Sequence, residues 1–240
     1  MNQTVQERIE SLIQQIQFTS VSTELKEWAA KGGENLLYGV FLVAKYQFPE
    51  LFFSEIEERI EILRKDAWIE FNKNLTALEK VRIINHIMFA IHKFSGNTSN
   101  FYSPGNSYIN QVLETKKGNP ISLAVIYLSV AQKLEMPVYG VNLPLNYLLA
   151  YQDPSYPDDP DGIMFYINAY NKGAIISRKE IEFFLTEQKL KISPEYFRPC
   201  SNIITVERVL RNLSFSYEKL GYVEKNKDIS RLIEIIEGHK

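Results

Sequence analysis

The segment from Lys116 to Glu135 constrains the fold more than any other part of the sequence. Lys116-Lys117-Gly118-Asn119-Pro120 breaks whatever precedes it and restarts the chain as a helix. Asn119 suits the N-cap, where a side-chain oxygen accepts from an orphan N–H of the first turn, and Pro120 suits the first helical position, where a missing N–H costs nothing. The helix so opened carries Leu123, Ala124, Ile126, Tyr127, Val130, Ala131 and Leu134, apolar over too wide an arc to lie on a surface. Such a helix has to be covered on every side, so the remainder of the chain must supply the cover.

Two kinds of cover are visible. From Met136 onward the texture turns to short β-type runs, Pro137–Leu143, Tyr147–Tyr151 and Ile163–Ala169, rich in Val, Ile, Tyr and Phe and separated by turn chemistry. The rest is helical. Ile9, Leu12, Ile13 and Ile16, then Leu36 to Val43, then Ile56, Ile60 and Leu63 recur at helical spacing, with breaks at Gly32-Gly33 and Phe48-Pro49. A stronger helix is expected from Thr76 to Phe94, with Val81, Ile84, Ile87, Met88, Ile91 and Phe94 on one face, and a surface loop from Asn97 to Asn106 leads to a short helical run, Tyr108–Glu114. The last forty residues form a helix–turn–helix pair of the size found in helical repeats, with stripes Val206, Val209, Leu210, Leu213, Tyr217, Leu220 and Ile229, Leu232, Ile233, Ile236. The expected fold class is α+β: N-terminal helices over 1–75, a core over 76–200 with a central buried helix on a small antiparallel sheet, and a C-terminal (TPR-like) helical pair over 201–240, packed as one unit.

Charge and composition exclude several functions. With 27 basic and 29 acidic residues the chain has no net pull toward nucleic acid or an anionic membrane. No apolar run approaches the roughly 18 residues of a membrane span, and the first residues lack the basic-then-apolar order of a secretory signal, so a cytoplasmic location is expected. One cysteine, Cys200, excludes an internal disulfide, and three histidines leave little for a zinc site. His86 and His92 lie six apart on one helix, which does not pair them on a face; His86 is expected beside the apolar stripe, and His92 and His239 exposed. The acidic loop Asp153–Gly162 resembles a calcium loop only superficially, because the acidic first position falls on Pro157 and the closing Glu on Asn168. No metal and no cofactor are expected.

The run from Phe101 to Leu123, the continuation Tyr127–Pro144 with its Tyr139-Gly140-Val141-Asn142-Leu143-Pro144, and the closing Arg208-Val209-Leu210-Arg211-Asn212-Leu213 with Tyr217 and Gly221 resemble the SirB-like branch of the transglutaminase-like superfamily. That resemblance implies a papain-like core, in which a cysteine at the N-terminus of a buried helix faces a histidine and an aspartate on neighbouring strands. The chemistry explains the layout: a helix N-terminus favours a thiolate, the histidine pairs with it and later donates a proton, and the carboxylate orients the histidine.

Carried onto this chain, the cysteine position, two residues after Gly118, is Pro120; the Gly-His-Phe step reads Leu145-Asn146-Tyr147; and the Asp-Pro-like step reads Asn168-Ala169. Proline offers no nucleophile, and an asparagine amide neither accepts a proton near neutral pH nor carries the charge that steadies an imidazolium. The expectation is therefore a catalytically silent protein with a protein partner, acting as a binding or scaffold module. Asn119, Ser122, Leu145 and Tyr147 are the candidate cleft residues around the degenerate positions Pro120, Asn146 and Asn168, with Leu145 adding bulk where the family has glycine. The alternative is a hydrolase or acyl-transfer enzyme using Ser122, which sits in the first helical turn without a visible base. Cys200 matches no family nucleophile and reads as a small buried apolar residue. Lys116, Lys117, Arg208 and Arg211 read as a solvated basic face.

Overall fold

The computed structural model describes residues 2–153, 155, 156, 159 and 161–239, and their side chains except at 2–5, 7, 10 and 11. Pro157 lies outside the described residues. The elements in chain order are helices α1 (Asn2–Ala30), α2 (Leu36–Gln47), α3 (Phe53–Glu70) and α4 (Ala77–Asn85), strand β1 (Ser95–Gly96), α5 (Ile109–Thr115), β2 (Lys117–Gly118), α6 (Pro120–Lys133), β3 (Val138–Val141), β4 (Leu148–Gln152), β5 (Ile163–Asn168), β6 (Ala174–Ile176), α7 (Arg178–Glu187), α8 (Asn202–Leu220) and α9 (Val223–Glu237). This is the α+β architecture expected from the sequence.

Helix α6 is the centre. It is buried without interruption from Ile121 to Ala131. Helices α2, α3, α4, α5 and α8 and strands β3 and β4 all pack on it, which is what an apolar surface wider than one stripe requires. One apolar cluster runs from Phe18 of α1 through α6 to Ile236 of α9. Apart from Leu220, which is exposed at the end of α8, the α8 and α9 stripes face each other and the N-terminal helices as their 3.6-residue periodicity demands, and Gly221 at φ 74° supplies the left-handed residue that ends α8. Hydrogen bonds between Tyr108 and Tyr217 hydroxyls (2.6 Å) and from Tyr46 to Asp228 (3.0 Å) fasten the last two helices to α5 and α2.

The sheet is a four-stranded antiparallel meander, β3-β4-β5-β6. Its register pairs Val141 with Leu148, Leu149 with Ile167 and Ile167 with Ile175. Alternation then divides the side chains. Leu149, Tyr151 and Ile167 join the main core with α6, while Val141, Leu148, Ala150 and Tyr166 join a second cluster with Ile181 and Leu185 of α7 and with Phe197. Burial on both faces explains why these runs read as continuous β-type stretches rather than as half-polar ones.

Three features depart from the sequence reading. The α4 helix continues as a π turn, His86–Ile91, and the wider turn shifts the phase of the residues beyond it. Ile91 is therefore exposed rather than on the apolar face, and His92 is half-buried against Asp66, with Nε2 2.6 Å from Oδ2. His86, opposite Val81 and Ile84 on the helix, is exposed. Ile9, Leu12, Ile13 and Ile16 are helical as expected but exposed. Finally, the sequence reading leaves β6 and α7 unassigned: β6 adds the edge strand beside β5, and α7 covers the outer face of the sheet through Ile181 and Leu185.

Candidate functional site

A cleft of about 230 Å³ opens at the N-terminal end of α6. Four segments build it: Phe101 and Tyr102 from the loop after β1, Asn119, Pro120 and Ile121 from the start of α6, Leu145, Asn146 and Tyr147 from the β3–β4 turn, and Arg208, Asn212, Phe215 and Ser216 from α8. The α8 residues recur at helical spacing and so share one face.

The loop carrying Phe101 and Tyr102 is organised by a buried side chain. Asn106 donates to the carbonyls of Asn100 (2.8 Å) and Phe101 (3.0 Å) and accepts from Asn97 Nδ2 (2.8 Å). A backbone bond from Asn97 N–H to Gly118 (2.9 Å) ties the same loop to the residues that open α6. The Phe101 and Tyr102 rings meet edge to face at 5.4 Å, and Tyr102 meets Phe215 at 5.8 Å, so three partly exposed rings stand together at the cleft.

At the start of α6, Asn119 and Ser122 form a reciprocal cap. Asn119 Oδ1 accepts from Ser122 N–H (2.9 Å), and Ser122 Oγ accepts from Asn119 N–H (3.0 Å) and donates to its carbonyl (3.2 Å). Asn119 Nδ2 donates to Ser107 Oγ (2.9 Å). A Cβ on Gly118 would lie 2.5 Å from Ser122 Oγ, which explains the glycine two residues before Pro120. Ser122 is thus buried and committed to the backbone, and it is not among the residues lining the cleft.

The β3–β4 turn brings Asn146 to the same cleft as Pro120. Asn146 Oδ1 accepts from Tyr147 N–H (2.8 Å). Leu145 holds φ at 62° and is 68% exposed, so its bulk points to solvent and the cleft stays open beside it. A left-handed residue is where glycine is strain-free, a physical reason for the glycine that the resemblance places there. Tyr147 is buried, and its hydroxyl is held by Thr205 Oγ1 (2.7 Å) and Cys200 Sγ (3.4 Å). Burial pushes the Tyr147 phenol well above its ordinary range and raises the Cys200 thiol as well.

Asn168 is elsewhere. It is in phase with Leu148 and Tyr166, on the sheet face opposite to the residues packed on α6. Its Oδ1 accepts from Asn171 N–H (3.1 Å) and caps a 3-10 turn, and it does not line the cleft. Two of the three degenerate positions, Pro120 and Asn146, therefore meet; the third caps a turn.

The four basic residues separate in the same way. Lys116 lies over the Phe94 ring at 4.6 Å, Lys117 donates to Ser95 Oγ (2.8 Å), and Arg211 pairs with Glu207 (2.7 Å) and Glu237 (2.5 Å). Arg208 alone of the four reaches the cleft. It is half-buried and donates to Asn142 Oδ1 at 3.4 Å and to the Asn146 carbonyl at 3.5 Å, both longer than ordinary hydrogen bonds. Among the described residues no carboxylate pairs with it, and burial draws its pKa down. The sequence holds a signal for this, the spacing of Arg208, Asn212 and Phe215, but the pairing that sets Arg208 apart from Arg211 exists only in three dimensions.

The described lining residues include no thiol, imidazole or carboxylate. Among the described residues no group of three or more His, Cys, Asp or Glu is placed to hold a metal ion, and no helix is long and apolar enough to cross a membrane.

The family profile of the transglutaminase-like superfamily matches residues 54–211, from α3 to the middle of α8. The chain is 31% identical over 192 residues to a UPF0162 protein of Xylella fastidiosa, covering 76% of this chain and 64% of that one. It is 29% identical over 120 residues to a UPF0162 protein of Vibrio cholerae, covering 49% and 42%. It is also 30% identical over 139 residues to F-box only protein 21 of Mus musculus, covering 58% of this chain and 21% of that protein. The chain thus spans less than two thirds of the length of these curated relatives. No solved structure matches it significantly. The matched segment contains α6, the sheet and the cleft residues up to Arg208, with Asn212, Phe215 and Ser216 lying just beyond it, and the chain accordingly belongs to the transglutaminase-like superfamily, alongside the SirB-like UPF0162 proteins.

Proposed function

We infer that this chain is a non-catalytic member of its superfamily, a cytoplasmic module that binds through the cleft at the head of α6 and does not turn its ligand over. The observation that carries the reading is the content of that cleft. Pro120 occupies the first turn of α6, where a nucleophile would gain from the helix dipole, and no described lining residue can act as a base at neutral pH. The occurrence of a related segment as 21% of F-box only protein 21 supports a module employed within larger proteins.

The reading that Ser122 is a replacement nucleophile meets a specific objection. Its hydroxyl hydrogen is given to the Asn119 carbonyl, one lone pair is taken by Asn119 N–H, and among the described residues no imidazole or carboxylate is hydrogen-bonded to it to activate it. The test uses purified full chain against peptidase, amidase and transamidase substrates, with fluorophosphonate labelling read by mass spectrometry. No turnover and no adduct on Ser122 are expected. Turnover that falls on Ser122→Ala or Asn146→Ala would overturn the proposal.

A further inference from the structure

The feature left unused by a silent triad is Arg208. A half-buried guanidinium with only two long bonds to neutral oxygens has given up part of its hydration without gaining a counter-charge among the described residues. Its neighbour one turn on, Arg211, has two carboxylates. The contrast is informative because both residues stand on the same helix in the same chain.

Resting on the binding reading above, we propose that Arg208 captures a carboxylate at the end of a peptide, with the terminal apolar side chain lying against Phe101, Tyr102 and Phe215. Three observations select this ligand. First, Arg208 is the one charged group among the described lining residues: Lys116, Lys117 and Arg211 are engaged elsewhere, Lys219 lies over the Phe215 ring at 5.2 Å without lining the cleft, and one guanidinium fork matches one carboxylate, whereas phosphorylated motifs are read by clusters of arginines. Second, the space is small. At about 230 Å³ the cleft is below the roughly 300–1,000 Å³ of sites that enclose whole small molecules, so it fits one residue rather than an extended ligand. Third, the walls are those of a residue's own chemistry: three rings for a side chain, and amides for a peptide backbone. Among the described residues the Asn212 carboxamide makes no hydrogen bond, so it is available to the incoming chain.

The same carboxylate could come from a chain terminus or from an internal Asp or Glu, and the experiment separates them. The 240-residue chain is titrated, by amide chemical shifts, with the acetylated tetrapeptide Ala-Ala-Ala-Phe as free acid, the same peptide as C-terminal amide, Ala-Glu-Ala-Phe amide, and inorganic phosphate. The free acid should bind at least tenfold more tightly than its amide, with shifts centred on the residues around Arg208 and Phe215. Arg208→Gln should lose that preference, and Arg208→Lys should retain part of it. Phe215→Ala should weaken acid and amide alike.

Equal binding of acid and amide, equal binding to wild type and Arg208→Gln, or no binding of the acid would each overturn the proposal. Preference for the internal Glu peptide or for phosphate would overturn the terminal-residue assignment. A thermal melt of each variant guards against loss of fold, and Arg208→Lys, which keeps the charge, provides the second reading if Arg208→Gln is unstable. Release of free phenylalanine from the bound acid would sink the non-catalytic reading while leaving carboxylate capture intact, so the two failures are distinguishable.

Discussion

The body of α6 and the cleft at its N-terminal end are built from adjoining residues on opposite principles. Around Ile126 and Tyr127 every direction is closed by apolar side chains from the surrounding helices and the sheet. At its start the same helix ends on amides, a proline and an open space bordered by a half-buried arginine. The interior is made of groups whose best partner is another part of the same chain. The cleft contains groups, Arg208 and Asn212 foremost, whose partners within the chain are poor or missing. A fold needs only the first kind of region, and the second is where the proposed carboxylate ligand would supply a partner.

The sharpest way to break this contrast is to damage the closed side. Ile126 is fully buried, and truncating it to alanine opens a space that several surrounding elements hold in place. Ile126→Ala should cost about 2–5 kcal/mol, as large-to-small changes in rigid cores do, measured by denaturant unfolding. A cost below about 1 kcal/mol would mean that the core around α6 relaxes freely and that its closure is not what sets it apart from the cleft.

How much of this was legible beforehand runs along the same division. The start of α6 was readable because Asn119 and Pro120 have position-specific backbone chemistry, and its burial because Leu123, Ile126, Tyr127 and Val130 leave no polar stripe. The stripes of α8 and α9 were readable for the same reason. Helix α7 carried a signal that could have found it, the capping box Ser177 to Glu180 with Ile181 and Leu185 behind it. The π turn at His86–Ile91 carried none that periodicity can register, since an extra residue in a turn looks like an ordinary apolar pattern until the phase is known. At the site, Pro120 and Asn146 line one cleft, while the two-residue alternation of β5 puts Asn168 on the face away from α6. The role of Arg208 depended on which arginine Glu207 and Glu237 meet, a fact of packing rather than of spacing.

Asn119 stands on the boundary between the two regions, so a change there should have an intermediate effect. It caps α6 through Oδ1 and reaches Ser107 through Nδ2, both buried. Asn119→Ala should cost about 1–2 kcal/mol, the range for a lost N-cap, and Asn119→Ser should recover part of it by keeping an acceptor for Ser122 N–H. If the serine variant were no better than alanine, the bond to Ser107 and not the cap would be the main contribution. Leu145 should behave in the opposite sense. Its left-handed backbone is strained by roughly 1–2 kcal/mol for a residue with a Cβ, and its side chain is mostly in solvent. Leu145→Gly should therefore stabilise by about 0.5–1 kcal/mol after the greater flexibility of glycine in the unfolded chain is subtracted. A destabilised glycine variant would show that the exposed leucine makes a contact that helps hold the turn.

The smallest stability effect is expected at the residue that matters most for the cleft. Arg208 spans from α8 to the β3–β4 turn, so a purely structural reading makes it a strap holding Asn142 and Asn146. Its two bonds are long and their acceptors neutral, and withdrawing its charge from water opposes whatever they contribute. Replacing the guanidinium by a neutral amide removes both the weak bonds and the desolvated charge, and the two losses oppose each other. Arg208→Gln should thus change unfolding free energy by no more than about 0.5 kcal/mol, the range of substitutions away from buried networks. Arg211→Gln, which gives up charged partners at 2.7 Å and 2.5 Å, should cost more, up to about 1 kcal/mol for pairs on a partly exposed helix face. If the order were reversed, with Arg208 the costlier loss, its place in the cleft would be explained by the fold alone. The open side of the molecule would then need no ligand to account for it.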